Sequence, residues 1–173
     1  MEAEKLIFID ETSINTGMTR LYGRASGGDR VTEYVPDVRF ERTSVVSSMR
    51  LDGTIIPVAF DGSLNGDIFR CYVEQFLAPT LRKGDIVIMD NLSSHKVKGI
   101  ETAIEAKGAR IVYLPAYSPD LNSIELLWSK VKAHLRKAKA RTLDVLFDAL
   151  KDAFDTVSSS DITGWFRRSG YSA

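Results

Sequence analysis

The sequence predicts an α/β fold: a mixed sheet with helices on both faces. Two observations carry this. Leu6-Ile7-Phe8-Ile9-Asp10 and Ile86-Val87-Ile88-Met89-Asp90 are each four apolar residues closed by an aspartate, and such runs read as strands covered on both sides. Hairpin signals come before the second run, and strands alternate with helical stripes after it, the pattern of antiparallel pairing joined to crossover units.

The elements follow in order. Leu6–Asp10 is the first strand, with Asp10 at its carboxyl end. Residues 42–49 and 55–60 are two more strands, joined through Asp52-Gly53, a strong hairpin pair. Phe69, Tyr72, Val73, Phe76 and Leu77 recur at helical spacing, which predicts a helix over 66–77 ended by Pro79. Ile86–Asp90 is the next strand. Val97, Ile100, Ala103 and Ile104 mark a helix stopped by Gly108, and 110–114 is a strand closed by Pro115. Ile124, Leu127, Trp128, Val131 and Leu135 form a stripe of period 3.6, with Ile124 and Trp128 read as core. Leu143, Leu146, Phe147, Leu150 and Phe154 form another, with Thr142 as N-cap. Ile162, Trp165 and Phe166 end the chain in a short helix. There is no internal repeat, and 173 residues make one domain, 1–173.

Composition narrows the chemistry. Cys71 is alone, so an intramolecular disulfide and a thiolate zinc cluster are excluded. His95 and His134 are too few for a histidine metal centre, so any divalent ion would be held by carboxylates, which favours magnesium or manganese. The amino terminus lacks a signal-peptide pattern, and no apolar run approaches the roughly 20 residues of a membrane span. The expectation is a cytoplasmic protein with no membrane partner. Net charge is zero, which alone argues against nucleic acid. Its distribution argues for it: residues 130–141 hold six Lys or Arg and no acid.

In an α/β sheet, ligands gather beyond the carboxyl ends of the strands. Asp10 and Asp90 are delivered there, and Glu125 enters from the first turn of the long helix. Three carboxylates in this arrangement suit two divalent cations about 3.5–4 Å apart, serving the attacking and leaving oxygens of a phosphodiester. Asp10 would bridge the ions. Each residue also has a plainer reading. Asp10 caps a turn; Asp90-Asn91 is a turn pair; Glu125 closes a capping box with Asn122. Asp61, before Gly62, is a decoy of the same pattern. His95, five residues past Asp90, is placed to touch a phosphate or orient a water, or else to serve as a loop or cap residue. Lys130, Lys132, Arg136 and Lys137 are candidates for the DNA backbone.

Phe8-Ile-Asp10-Glu11-Thr12, Met89-Asp90-Asn91 with His95, and the block from Tyr117 to Trp128 resemble the mariner-like DDE transposases, most closely their bacterial insertion-sequence branch. The 34 residues between Asp90 and Glu125 match that branch. Leu21-Tyr-Gly-Arg-Ala25 and the ending Trp165–Tyr171 extend the resemblance over nearly the whole chain. It implies a ribonuclease-H-like fold, with Asp10, Asp90 and Glu125 as the triad for two Mg2+ or Mn2+ ions. The activity implied is DNA cleavage at transposon ends, then joining of the 3′-hydroxyl to target DNA, in a homodimer on DNA in a bacterial cytoplasm. Two departures stand out. Ser123 replaces a usual proline in the helix's first turn. The first Asp is residue 10, so the helix-turn-helix module that usually precedes it is expected to be absent, or carried by a separate polypeptide. The alternatives are a catalytically silent remnant or interaction module, and a stand-alone nuclease of the same fold.

Overall fold

The computed structural model describes residues 2–32 and 40–171. Five strands form one mixed sheet: β1 (Leu6–Asn15), β2 (Arg42–Arg50), β3 (Val58–Asp61), β4 (Ile86–Met89) and β5 (Arg110–Tyr113), in the order β3-β2-β1-β4-β5. β1 pairs antiparallel with β2 and parallel with β4; β3 is antiparallel to β2, and β5 parallel to β4. The mixed sheet is the one expected.

Strand periodicity sorts the side chains of β1 to two faces. Leu6, Phe8 and Ile14 join a core with α3 (Ile124–Ala138), α4 (Leu143–Asp155) and α5 (Ser159–Arg168). Ile7 and Ile9 join a second core with α1 (Gly66–Tyr72), the π turn Val73–Leu77 that continues it, and α2 (Ile100–Glu105). Ile124 and Trp128 are buried as expected, the indole meeting Phe154 edge-on. Thr142 caps α4 by accepting from the Val145 amide.

Three local expectations are corrected. β1 does not stop at Asp10 but runs five residues further, because pairing is a backbone matter and β2 offers partners as far as Asn15↔Arg42. The strand expected from Ile55 starts at Val58. Ile55 makes only one bridge, to Met49, and Pro57 has no N–H to donate to a ladder. α2 begins at Ile100 rather than Val97 because Gly99, at φ 105°, breaks the helical path before it.

Beyond the far end of the sheet, Arg50 and Asp85 form a bidentate pair, each 3% exposed. Asp85 also accepts from the Arg82 amide, and Arg50 donates to the Thr80 carbonyl. This ties the end of β2 to the turn entering β4, across the amino end of β1.

Candidate active site

Parallel pairing sets the site. Phe8 is level with Ile88, so two residues further along both strands Asp10 comes level with Asp90. Alternation places Asp10 on the face of Leu6 and Phe8, towards α3. Asn122 and Glu125 stand at the start of that helix. Asp10, Asp90, Asn122 and Glu125 together line one cavity of about 380 Å³, whose lining also includes Leu92, Leu114, Pro115 and Tyr117.

Asp10 is only 7% exposed. Its Oδ1 accepts from the Glu11 amide at 2.8 Å, and its Oδ2 from the Asn122 side-chain nitrogen at 3.1 Å. Burial, then the charges of Glu11 and Glu125, push its carboxyl up to about 8, against the pull of the amide bond; Asp90 adds a smaller push. A buried acid beside like charges is stabilised by any cation that enters.

Asp90 lies just past β4, half-exposed, its Oδ1 accepting from the Leu92 amide at 3.2 Å. Burial works to raise its pKa, but the hydrogen bond and charge of His95 outweigh this and hold the carboxyl below its ordinary range. His95 Nδ1 is 2.6 Å from that oxygen and Nε2 is 3.1 Å from Glu11 Oε2, while the ring stacks on Phe69 at 4.1 Å. Burial alone would lower the imidazole, yet the two carboxylates raise it to about 9. His95 is therefore a doubly paired cation inside the protein. It is fully buried with both nitrogens taken, so no ring nitrogen is open to a phosphate.

Glu125 is exposed on the first turn of α3. The expected capping box is absent: Ser123 is the N-cap, no side chain caps the helix, and Asn122 turns to Asp10 instead. Asn122 Oδ1 and Ser123 Oγ are buried without a partner. The donors fit a hard divalent ion: three carboxylates and a spare carboxamide oxygen, with no sulfur and no open imidazole nitrogen. As the side chains lie, no three Asp, Glu, His or Cys among the described residues close around a single point. Asp90 is turned to His95, and Glu125 extends into solvent.

The decoy Asp61 ends the edge strand β3 and lines a different cavity, with Arg42 and Leu143. Of the expected DNA contacts, Lys130 is paired within the chain: its Nζ donates to Thr156 O at 2.8 Å and to Asp161 at 2.6 Å. Lys132 and Arg136 are half-buried one turn apart on α3, and Lys137 is exposed. Arg141, from the same basic run, donates to the carbonyls of Thr16 and Met18.

Sequence reasoning missed the parts played by Glu11, Phe69 and Asn122. Strand alternation held a clue to Glu11, since a residue next to Asp10 must face the opposite layer. Nothing local marked Phe69 or Asn122, whose partners are remote in sequence.

The chain matches the family described as DDE superfamily endonuclease over residues 5–146. It is 27% identical over 123 residues to the Tcb2 transposable-element transposase of Caenorhabditis briggsae, covering 71% of this chain and 43% of that protein. To the Tc1 transposase of Caenorhabditis elegans it is 25% identical over 96 residues, covering 56% and 35%. The chain thus spans less than half the length of these curated relatives. Among solved structures, the Mos1 transposase paired-end complex with left transposon end superposes with a TM-score of 0.73 at 17% identity, over 95% of this chain and 52% of that one. The catalytic domain of Mos1 mariner transposase gives 0.67 at 13% identity, over 95% and 76%. The fold is the ribonuclease-H-like one expected.

Proposed function

This chain belongs to the family of DDE superfamily endonucleases, and on that premise we propose that it is the catalytic domain of a transposase, with Asp10, Asp90 and Glu125 as its cation-binding triad. The observation that supports this reading is that three acids, from a central strand, the end of its parallel neighbour and a helix start, line one cavity. Mos1 transposase complexes are known with Mn and with Mg, and the oxygen donors here suit either ion. Two such ions, when bound, lower the pKa of the attacking hydroxyl and neutralise charge on the leaving oxygen.

The chain's own residues do the positioning. The Glu11 amide and Asn122 each fix one oxygen of Asp10. His95 holds Asp90 against the sheet end. Glu125, uncapped and exposed, is free to swing inward when charge is there to meet it. A water oxygen attacks the scissile phosphorus and the P–O3′ bond breaks, releasing a 3′-hydroxyl. That hydroxyl then attacks a target phosphodiester, forming a new P–O3′ bond while the target strand's own P–O3′ bond breaks and its 3′-oxygen leaves as a hydroxyl. Lys132, Arg136 and Lys137 contribute contacts to the DNA backbone. Working on paired transposon ends calls for two copies of the chain, and recognition of the end sequence falls to a helix-turn-helix segment or polypeptide. The 34-residue spacing supports the bacterial insertion-sequence branch, with action on DNA in a bacterial cytoplasm.

The test is manganese titration by calorimetry into wild type, Asp90→Asn and Glu125→Gln, followed by nicking of supercoiled DNA. Wild type should bind and nick, and both variants should lose nicking by about 10²-fold or more, the scale of removing a group that stabilises transition-state charge. Equal behaviour of all three would sink the assignment. The second reading, a silent interaction module, is favoured by the open disposition of the acids, and wild type that binds no manganese would leave it standing. A stand-alone nuclease would nick but never join a pre-cut 3′ end to a plasmid.

A further inference from the structure

The cavity's lining is of two unlike kinds. Beside the acids it includes apolar residues, of which Leu114 is buried while Leu92, Pro115 and Tyr117 are exposed. Tyr117 is the least covered large hydrophobic side chain among the described residues, fully open to solvent. Its backbone sits at φ 59°, one of two non-glycine residues described with positive φ. That region favours glycine, and a bulky residue there is an outlier. The ring repays nothing in packing, so a strained position holding an unpacked aromatic calls for a partner outside the chain.

The neighbouring chemistry identifies the partner. On the reading of the acids as a phosphodiester site, on which this inference rests, the groups flanking a bound phosphate are a deoxyribose and a base. We propose that Tyr117 is a stacking platform for a nucleobase unstacked beside the scissile phosphate. Duplex bases are already stacked on each other, so the platform recognises a single strand or a locally opened end. Every base has a π face, so the seat is indifferent to sequence. The ring at the rim then decides which DNA form presents its phosphate to the acids.

The test is fluorescence anisotropy of a labelled oligothymidine of about 12 nucleotides and of a blunt duplex of the same length, with calcium present and the full chain as protein. Y117A and Y117G should each lose about 5- to 100-fold in affinity for the single strand, with duplex affinity unchanged. Y117F and Y117W should keep it. Y117G is the key variant, because glycine accepts the φ without strain and so removes the ring while relieving the backbone. Y22A is the control: Tyr22 is 90% exposed but lines a separate cavity with Arg20 and Arg24, and its loss should leave the preference intact. Single-strand affinity retained in Y117G, an equal loss on single strand and duplex, or a larger effect from Y22A would overturn the proposal. Manganese calorimetry on the same proteins keeps the two readings apart. Stacking without manganese binding removes the phosphodiester site and leaves the platform; manganese binding with no single-strand preference does the reverse.

Discussion

Asn122 ties the start of α3 to Asp10 by a single side-chain hydrogen bond. Its nitrogen donates to Asp10, and its oxygen is buried and unpaired. Outer partners of this kind typically govern metal affinity by about 10–100-fold, so Asn122→Ala should weaken manganese binding by that factor in calorimetry. His95 is the matching case on the other layer. It joins Asp90 to Glu11 by two charge-assisted bonds, each worth about 1.5–3 kcal/mol. Urea unfolding of His95→Ala should show a loss at least of the lower figure. A variant as stable as wild type would mean the pair contributes nothing net.

At the level of elements, α3 announced itself. Its stripe Ile124, Leu127, Trp128, Val131 and Leu135 is wholly buried, because helical period and core face coincide. On the basic face of the same helix, a lysine's sequence position does not reveal whether an acid lies within reach. Lys130 found one in Asp161, at the start of α5, where Ser158 and Asp161 also make a capping box. The Lys130 hydrogen bond, then those from the Ser158 amide and hydroxyl, lower Asp161 from 3.8 to about 2. A depressed carboxyl stabilises the fold above its unfolded value, and that contribution is lost as pH falls through the folded one. Thermal melts should therefore show wild type losing more stability than Asp161→Asn between pH ~4 and ~2, and the two curves running parallel above pH 5. Curves parallel throughout would show the contact to be inert. β1 was harder to bound by eye. Glu11, Thr12 and Ser13 look like a loop, but the long antiparallel partner β2 keeps them in the ladder.

Across the whole molecule, chemistry and anchorage occupy opposite ends of the sheet. The acids gather beyond the carboxyl end of β4, and the Arg50–Asp85 pair closes the other end. That pair was invisible in the sequence, because Arg50 reads as a strand terminus and Asp85 as a turn residue after Gly84. Removing one partner leaves a buried charge uncompensated, and Asp85→Asn should cost about 3–5 kcal/mol in urea unfolding. Below the melting temperature its manganese affinity should match wild type, because the site lies at the far end. A comparable fall in both would show that the two ends are coupled. What was readable from the sequence was the set of buried runs and the acids that punctuate them. What was hidden was every contact between residues far apart in the chain.

β1 alternates between the two cores, Asp10 facing one layer and Glu11 the other. A strand side chain can change layer only if all its neighbours change with it. Deleting a single residue between Leu6 and Asp10 would send Asp10 towards Phe69 and Glu11 towards α3, and turn both rows of apolar side chains inside out. The position of the first acid is therefore locked to the phase of the hydrophobic pattern, and a one-residue frame slip in this strand would abolish folding and chemistry together. Genetic screens of this chain should accordingly tolerate many substitutions along β1 but no single-codon deletion within its first half.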